Sequence, residues 1–152
     1  MRRQLDFLLK LGPALMVTRG LGSVEAENAF QKAAEISAAA GNDPATFKAK
    51  WGLWMIANIG MKSAASRRAH ELVALAQHSG DADLLLEAYH CRWSTASFRG
   101  DIAETIENSL IGVETSISVA TAISATPLPV TIRAFVRTQY AGWGIRRLES
   151  RN

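Results

Sequence analysis

Few side chains in this sequence have the type and spacing that catalysis or metal binding requires. His70 and His78 are eight residues apart, about two turns of a helix, which is too far for both to bind one metal ion. His90 and Cys91 are neighbours in the chain, so they point to different faces of a helix and do not make a catalytic pair. We expect Cys91 to be a small core residue instead.

Motifs for enzymatic chemistry are missing as well. The sequence contains neither a glycine-rich phosphate-binding loop nor a Gly-x-Ser-x-Gly nucleophile elbow. Its histidines and its single cysteine do not show the paired spacing of a metal site. The sequence therefore predicts no enzyme activity, no metal and no cofactor. A small helical enzyme or ligand-binding protein with an unrecognised site stays open as the alternative.

The composition predicts one globular domain. The chain has 152 residues, 48% of them hydrophobic and 20% charged, which is ordinary for a globular protein with a core. One cysteine cannot form an internal disulfide, so a reducing cytoplasm is the expected compartment. We expect no signal peptide, because Asp6 and Lys10 interrupt the apolar run that a signal would need.

The charge distribution argues against nucleic acid and membrane partners. The formal net charge is +3, but residues 1–115 carry 12 Lys and Arg against 13 Asp and Glu. The excess of basic residues lies after residue 115, so the folded part lacks the basic face of a nucleic-acid-binding protein. Residues 115–132 are uncharged, yet they are too polar and too interrupted by Pro127 and Pro129 for a membrane helix.

The apolar periodicity predicts an all-α fold with six helices and no strand up to residue 114. The predicted helices cover residues 3–19, 23–41, 43–60, 62–79, 81–100 and 101–114. Ser23, Asp43 and Asp101 are predicted N-caps, with Pro44 at the first helical position and Glu104 completing a capping box.

The third helix has two apolar faces instead of one. Phe47, Trp51, Trp54, Met55 and Asn58 fall on one stripe, whereas the other stripe contains Ala49, Gly52, Leu53, Ile56 and Gly60. A helix with two apolar faces needs neighbours on both sides. We therefore expect it to be an inner helix of a stacked array, with Trp51, Leu53 and Ile56 substantially buried.

Regularly spaced glycines indicate a helical repeat. Gly20, Gly60 and Gly100 are 40 residues apart, and Gly41 and Gly80 are 39 apart. Helical hairpins of fixed length are typical of a solenoid. An irregular helical bundle is the alternative interpretation.

Several segments resemble, in the same order, the tetratricopeptide-type repeat region of large bacterial regulators. They are residues 8–15, 51–54, 83–88 with His90, and 98–101. In such proteins a class III adenylate/guanylate cyclase or winged-helix domain precedes a signal-transduction ATPase and a long helical-repeat region. The resemblance covers roughly residues 5–114. It implies tandem antiparallel helical hairpins, a fragment of a right-handed solenoid, without the cyclase, ATPase and DNA-binding parts.

The resemblance also implies a place where a partner could bind. Tryptophans at helical spacing are usually core residues. Tetratricopeptide geometry would nevertheless turn five side chains toward a concave groove suited to a peptide or partner helix: Lys50, Trp54, Asn58, His90 and Ser94. Alternatively, this surface packs on neighbouring repeats of a parent protein. The expected function is therefore a non-catalytic protein-interaction or sensor module from a cyclase- or ATPase-linked signalling regulator.

The sequence changes character after Thr115. Residues 115–152 are predicted to be an irregular, poorly ordered tail outside the repeat domain of residues 1–114, because Pro127, Pro129 and the turn at residues 142–144 oppose a long helix. Read out of frame with suitable synonymous codons, residues 116–136 resemble the family's continuation, so we interpret the tail as translated out of frame. An array without a polar terminal unit exposes its last apolar surface, and we expect self-association there.

Overall fold

The computed structural model describes residues 2–123, with side chains as far as residue 117. All regular secondary structure in this part is α-helical, which confirms the predicted fold class. The helices are α1 (Arg2–Arg19), α2 (Val24–Ala39), α3 (Asp43–Ile59), α4 (Ala64–Ser79), α5 (Ala82–Phe98) and α6 (Ile102–Ile123).

The helices pack consecutively in a hairpin-like arrangement. Each of α1 to α4 contacts the helix that follows it, and α3 also contacts both α1 and α5. The backbones of α2 and α4 are not in contact with each other. The first helices of the three hairpins, α1, α3 and α5, therefore form one layer with α3 in its middle. Residues Met1–Ile117 make one compact unit.

Helix α3 is buried on both faces, as the two apolar stripes predicted. On one side Phe47 and Trp54 pack with residues of α4 and α5, among them Leu72 and Cys91. On the other side α3 packs with α1 and α2 in two adjoining clusters that contain Ala49, Leu53 and Ile56. Leu53 and Ile56 are buried, and Trp51 is half-buried against the first cluster. The central helix thus joins the first and third hairpins.

Two glycines allow α1, α2 and α3 to approach closely around one aromatic ring. The ring of Phe30 in α2 lies between Gly12 of α1 and Gly52 of α3. A Cβ atom on Gly12 would lie 2.6 Å from the Phe30 ring, and a Cβ on Gly52 would lie closer still. Ordinary carbon contacts are about 3.5–4.0 Å. The absence of side chains at both glycines is therefore a packing requirement.

Left-handed residues end the helices at nearly even spacing. Positive φ angles occur at Gly20, Gly41, Gly80 and Gly100, and also at Met61, where φ is 49°. At the end of α3 the left-handed residue is Met61, one position after Gly60. The Lys62 amide donates to the Ala57 carbonyl at 2.8 Å, which is the long hydrogen bond of a Schellman motif. The prediction that regularly spaced glycines mark the helix ends is thus correct except at this turn.

The helix caps agree with the sequence at Ser23 and differ at α3. The Ser23 hydroxyl accepts from the Ala26 amide at 3.2 Å. Helix α3 is capped by Asn42, whose Oδ1 accepts from the Ala45 amide at 3.2 Å, so the prediction of Asp43 as the N-cap is wrong. Asp43 is instead the first helical residue, where its carboxylate still favours the positive end of the helix dipole.

Helix α6 is longer than predicted. It continues past residue 114 to Ile123, so the predicted boundary between domain and tail falls inside a helix. Residues 115–123 contain neither Pro nor Gly, and the Thr115 and Ser116 hydroxyls bond back to carbonyls of their own helix. Absence of charge did not prevent helix formation there. The predicted irregular tail at residues 124–152 lies outside the described residues.

Candidate functional site

The five residues predicted to face a groove lie along the contact between α3 and α5. Lys50, Trp54 and Asn58 belong to α3, while His90 and Ser94 belong to α5. Hydrogen bonds join Trp51 to Glu87 and Asn58 to Ser94, and each pair is separated by 36 residues. A constant offset means that the two helices run parallel in one register. We call this contact the α3–α5 seam.

Trp54 and Asn58 are buried inside the seam, where the sequence analysis expected them to face a groove. Trp54 is 1% exposed, and its indole Nε1 donates to Thr95 Oγ1 at 2.9 Å. Asn58 is 4% exposed, and its Nδ2 donates to Ser94 Oγ at 3.3 Å. Both side chains thus donate hydrogen bonds to residues of α5. Their physical role is to hold α5 against α3.

Lys50 lies apart from the other predicted groove residues because it forms an ion pair with α4. Its Nζ is 3.0 Å from Glu71 Oε2, and Arg67 contacts the other oxygen of the same carboxylate at 2.8 Å. Burial raises the pKa of Glu71, but the hydrogen bonds and charges of Lys50 and Arg67 outweigh burial and leave the pKa lowered. Lys50 is thus part of a bridge between α3 and α4 and is half-exposed.

His90 and Ser94 are half-buried on the same edge of the seam, together with a carboxylate that the sequence analysis did not select. Glu87 Oε1 accepts from the Trp51 indole at 2.6 Å and lies 3.0 Å from His90 Nδ1. The side chains of His90 and Glu87 retain 23% and 19% exposure. No sequence signal marked Glu87, because its 36-residue offset from Trp51 differs from the 39- and 40-residue spacing of the glycines.

Aromatic rings make a continuous row along the seam. The ring centroids of Trp51 and Trp54 are 6.0 Å apart, those of Trp54 and His90 are also 6.0 Å apart, and those of His90 and Trp93 are 5.2 Å apart. Such distances give favourable edge-to-face and tilted contacts. The row continues into α6, because Trp93 lies against Gly112, where a Cβ would overlap the indole.

The groups in the seam are arranged for packing and hydrogen bonding. Burial, and then the charge of Glu87, raise the pKa of the Cys91 thiol, so the thiol stays protonated. In residues 2–117 every buried side-chain nitrogen and oxygen has a hydrogen-bond partner. The same residues contain no group of three His, Cys, Asp or Glu side chains placed to hold a metal ion.

The outer face of α6 is an exposed apolar surface. Five apolar residues at helical spacing are between 45% and 71% exposed: Ile102, Ile106, Leu110, Val113 and Ile117. We call them the α6 stripe. The side of α6 that packs on α5 is polar by comparison, with Asn108 buried and Glu104 held by Arg92 at 2.8 Å. The usual orientation of an amphipathic surface helix is therefore reversed.

Comparisons with known proteins identify no relative of this chain. No family model, curated protein or solved structure matches this chain. None of the helices in residues 2–123 has the length and apolar character needed to cross a membrane. Functional inference therefore depends on the seam, the α6 stripe and the chemistry around them.

Proposed function

We propose that this protein is a non-catalytic interaction module that binds an amphipathic helix of a partner protein on the α6 stripe. The stripe is the observation that carries the proposal. An apolar helix face normally packs against another element, and exposed apolar patches mark interaction surfaces. The α3–α5 seam then has a structural role, holding α5 in place so that α6 can present the stripe.

The spacing of the stripe favours a helical partner. Successive members of the α6 stripe are four, four, three and four residues apart, which keeps them on one face over about four turns. A row of this kind accepts the i, i+3, i+4 and i+7 anchors of a helix laid along it. A strand or a loop would not match this repeat.

The charge of α6 indicates what flanks the partner's apolar seam. Helix α6 contains neither Lys nor Arg, and exposed Glu107 lies beside the stripe, whereas Glu104 faces α5 and is paired with Arg92. A partner helix with Lys or Arg next to its apolar residues would complement this acidic flank. A second copy of the same helix would instead bring like charges together. We therefore choose a basic amphipathic helix of another protein as the occupant.

The resemblance to repeat regions of bacterial signalling regulators supports the same function. In that context the module would be a cytoplasmic sensor or interaction region, and the single buried cysteine suits a reducing compartment. We propose in addition that the helices are tetratricopeptide-like repeats and form part of a right-handed solenoid.

The test is calorimetric titration with two synthetic helical peptides. Both carry the same Leu and Ile seam, but one has Lys at the flanking positions and the other has Glu. We expect the Lys-flanked peptide to bind more tightly, with an advantage that decreases as salt is added. Leu110→Ser should weaken binding of the Lys-flanked peptide about tenfold, because the apolar surface that Leu110 would bury contributes about that much to the affinity. Val17→Ser is the control, because Val17 is also an exposed apolar residue, 84% exposed, but lies on α1.

Three results would contradict the proposal. Equal binding of the two peptides would remove the argument from charge. An equal loss in the Leu110→Ser and Val17→Ser variants would mean that the peptides bind unspecifically. A homodimer in sedimentation equilibrium that Leu110→Ser dissociates would make a second copy the occupant, in agreement with the self-association expected from the sequence.

A further inference from the structure

A second surface feature has none of the α6 stripe residues in its lining. It is a cleft of about 310 Å³ between the turn that joins α3 to α4 and the end of α5. It is lined by Met61, Lys62, Phe98 and Arg99 together with Asn58 and Thr95. This volume is at the lower end of the range of about 300–1,000 Å³ found for small-molecule sites. A small ligand fits such a cleft better than a folded domain does.

Lys62 and Arg99 border the cleft. Each of them shares a carboxylate with an arginine that lies closer to it. Glu27 is contacted by Arg68 at 3.1 Å and by Lys62 at 3.3 Å. The hydrogen bond from Arg68 is the strongest influence on the pKa of Glu27, which is lowered. Since one carboxylate faces two cations, this group carries one positive charge in excess. Lys62 is the more exposed of the two cations, with 47% of its side chain accessible.

The same arrangement occurs on the other side of the cleft. Arg92 binds Glu104 through two nitrogens, at 2.8 and 3.2 Å, while Arg99 is 3.9 Å from the second oxygen of that carboxylate. Arg99 also donates to Ser66 Oγ at 3.3 Å, and its side chain is 53% exposed. This group too has one positive charge in excess. The looser cation of each group, Lys62 or Arg99, is the one that borders the cleft.

Two exposed apolar side chains line the cleft, and one of them has an unusual backbone. Met61 has a left-handed φ of 49° and is 76% exposed, and Phe98 is 57% exposed. A non-glycine residue in this conformation costs about 1–2 kcal/mol in the backbone, and such outliers concentrate at functional sites. A glycine at position 61 would relieve the backbone but would remove an apolar wall of the cleft.

We propose that this cleft binds a small amphipathic carboxylate. Arg99 offers the paired nitrogens that match a carboxylate, and Lys62 supplies the second positive charge. The hydrocarbon part of the ligand lies against Phe98 and Met61. The excess charge requires an anion, whereas the apolar walls require a hydrocarbon body, so an inorganic anion or an uncharged lipid meets only half of the requirement. This site is independent of the proposed peptide-binding function of α6.

The test is an NMR titration of the full chain with octanoate below its micellar concentration, compared with octanol and acetate. Octanoate should give saturable shifts at residues 58–66 and 95–99, and both controls should bind at least about tenfold more weakly, because each lacks one half of the recognition. Lys62→Gln and Arg99→Gln should each weaken octanoate binding about fivefold or more. Arg67→Gln, an exposed arginine paired with Glu71, should leave it unchanged.

The inference would be overturned if octanol bound as well as octanoate, or if the shifts lay outside the cleft. It would also be overturned if Arg67→Gln and Arg99→Gln had equal effects. Because Lys62→Gln and Arg99→Gln remove only exposed charges, circular dichroism should show both variants folded. Phe98→Ser then provides a test of the apolar wall, with octanoate weakened and acetate unaffected. None of these outcomes depends on whether a helix binds α6.

Discussion

Replacing Gly52 with alanine should destabilise the protein, although alanine is the better helix former. In an exposed helix this substitution would stabilise by about 1 kcal/mol. Here the new Cβ would lie closer than 3.0 Å to the Phe30 ring, and the ring cannot retreat because Gly12 of α1 lies against it on the other side. Overpacking of this kind costs about 1–3 kcal/mol. With a ring blocked on both sides we expect the upper part of that range and a net loss of about 1–2 kcal/mol.

The assay is urea denaturation of Gly52→Ala, Phe30→Leu and the double variant. Phe30→Leu alone loses apolar burial, but its smaller side chain leaves space for the new methyl group. In that background Gly52→Ala should therefore cost less or stabilise, which gives a favourable coupling energy between the two positions. A Gly52→Ala protein as stable as the parent, or a cycle without coupling, would refute the argument that the two glycines exist to accommodate the ring.

Three further predictions concern the turn, the core and the ion pairs. Met61→Gly should raise the free energy of unfolding, measured with urea, by about 0.5–1 kcal/mol, because relief of the left-handed strain exceeds the entropy cost of glycine. The same substitution should weaken octanoate binding. Leu53→Ala should cost about 2–5 kcal/mol in the same assay, whereas Ile59→Ala on the same helix, at a position 41% exposed, should cost far less. The pKa of Glu27 is lower in the folded protein than its ordinary 4.5, chiefly through Arg68, so the stability it contributes is present above that value and lost as the pH falls below it. Glu27→Gln should therefore flatten the stability profile in this acidic range.

The sequence was sufficient for the fold because its helices are strongly patterned. Two apolar stripes on α3 predicted burial on both sides, and Leu53 and Ile56 are buried as expected. Helix ends marked by glycine were also correct, since left-handed turns favour that residue. Met61 could not be foreseen, because a non-glycine residue in this conformation carries no local signal.

The candidate site was less predictable because polar residues can satisfy each other inside a helical layer. Asn58 and Trp54 have side chains that suit ligand binding, yet each finds its partner on α5. Only the three-dimensional register supplies those partners. Glu87 was overlooked for the same reason, since one acidic residue in a helix resembles any other until Trp51 is placed beside it.

The reversal of α6 depends on which side of the helix meets α5, and apolar spacing alone assigns the apolar side to the core. In the structure Trp93 lies against Gly112 and Arg92 binds Glu104, so the polar side of α6 faces α5. The stripe is left facing outward as a result.

Amide hydrogen exchange of the whole chain, with and without the Lys-flanked peptide, tests the account most directly. Opening free energies follow the packing around each helix, so α3, covered on both faces, should exchange slowest. Residues 102–117 of α6 should exchange faster in the free protein and become strongly protected when the peptide is added, with little change in α1 to α3. Protection of α6 equal to that of α3 in the free protein, or protection by the peptide at other helices only, would contradict the proposal that the α6 stripe is the partner-binding surface.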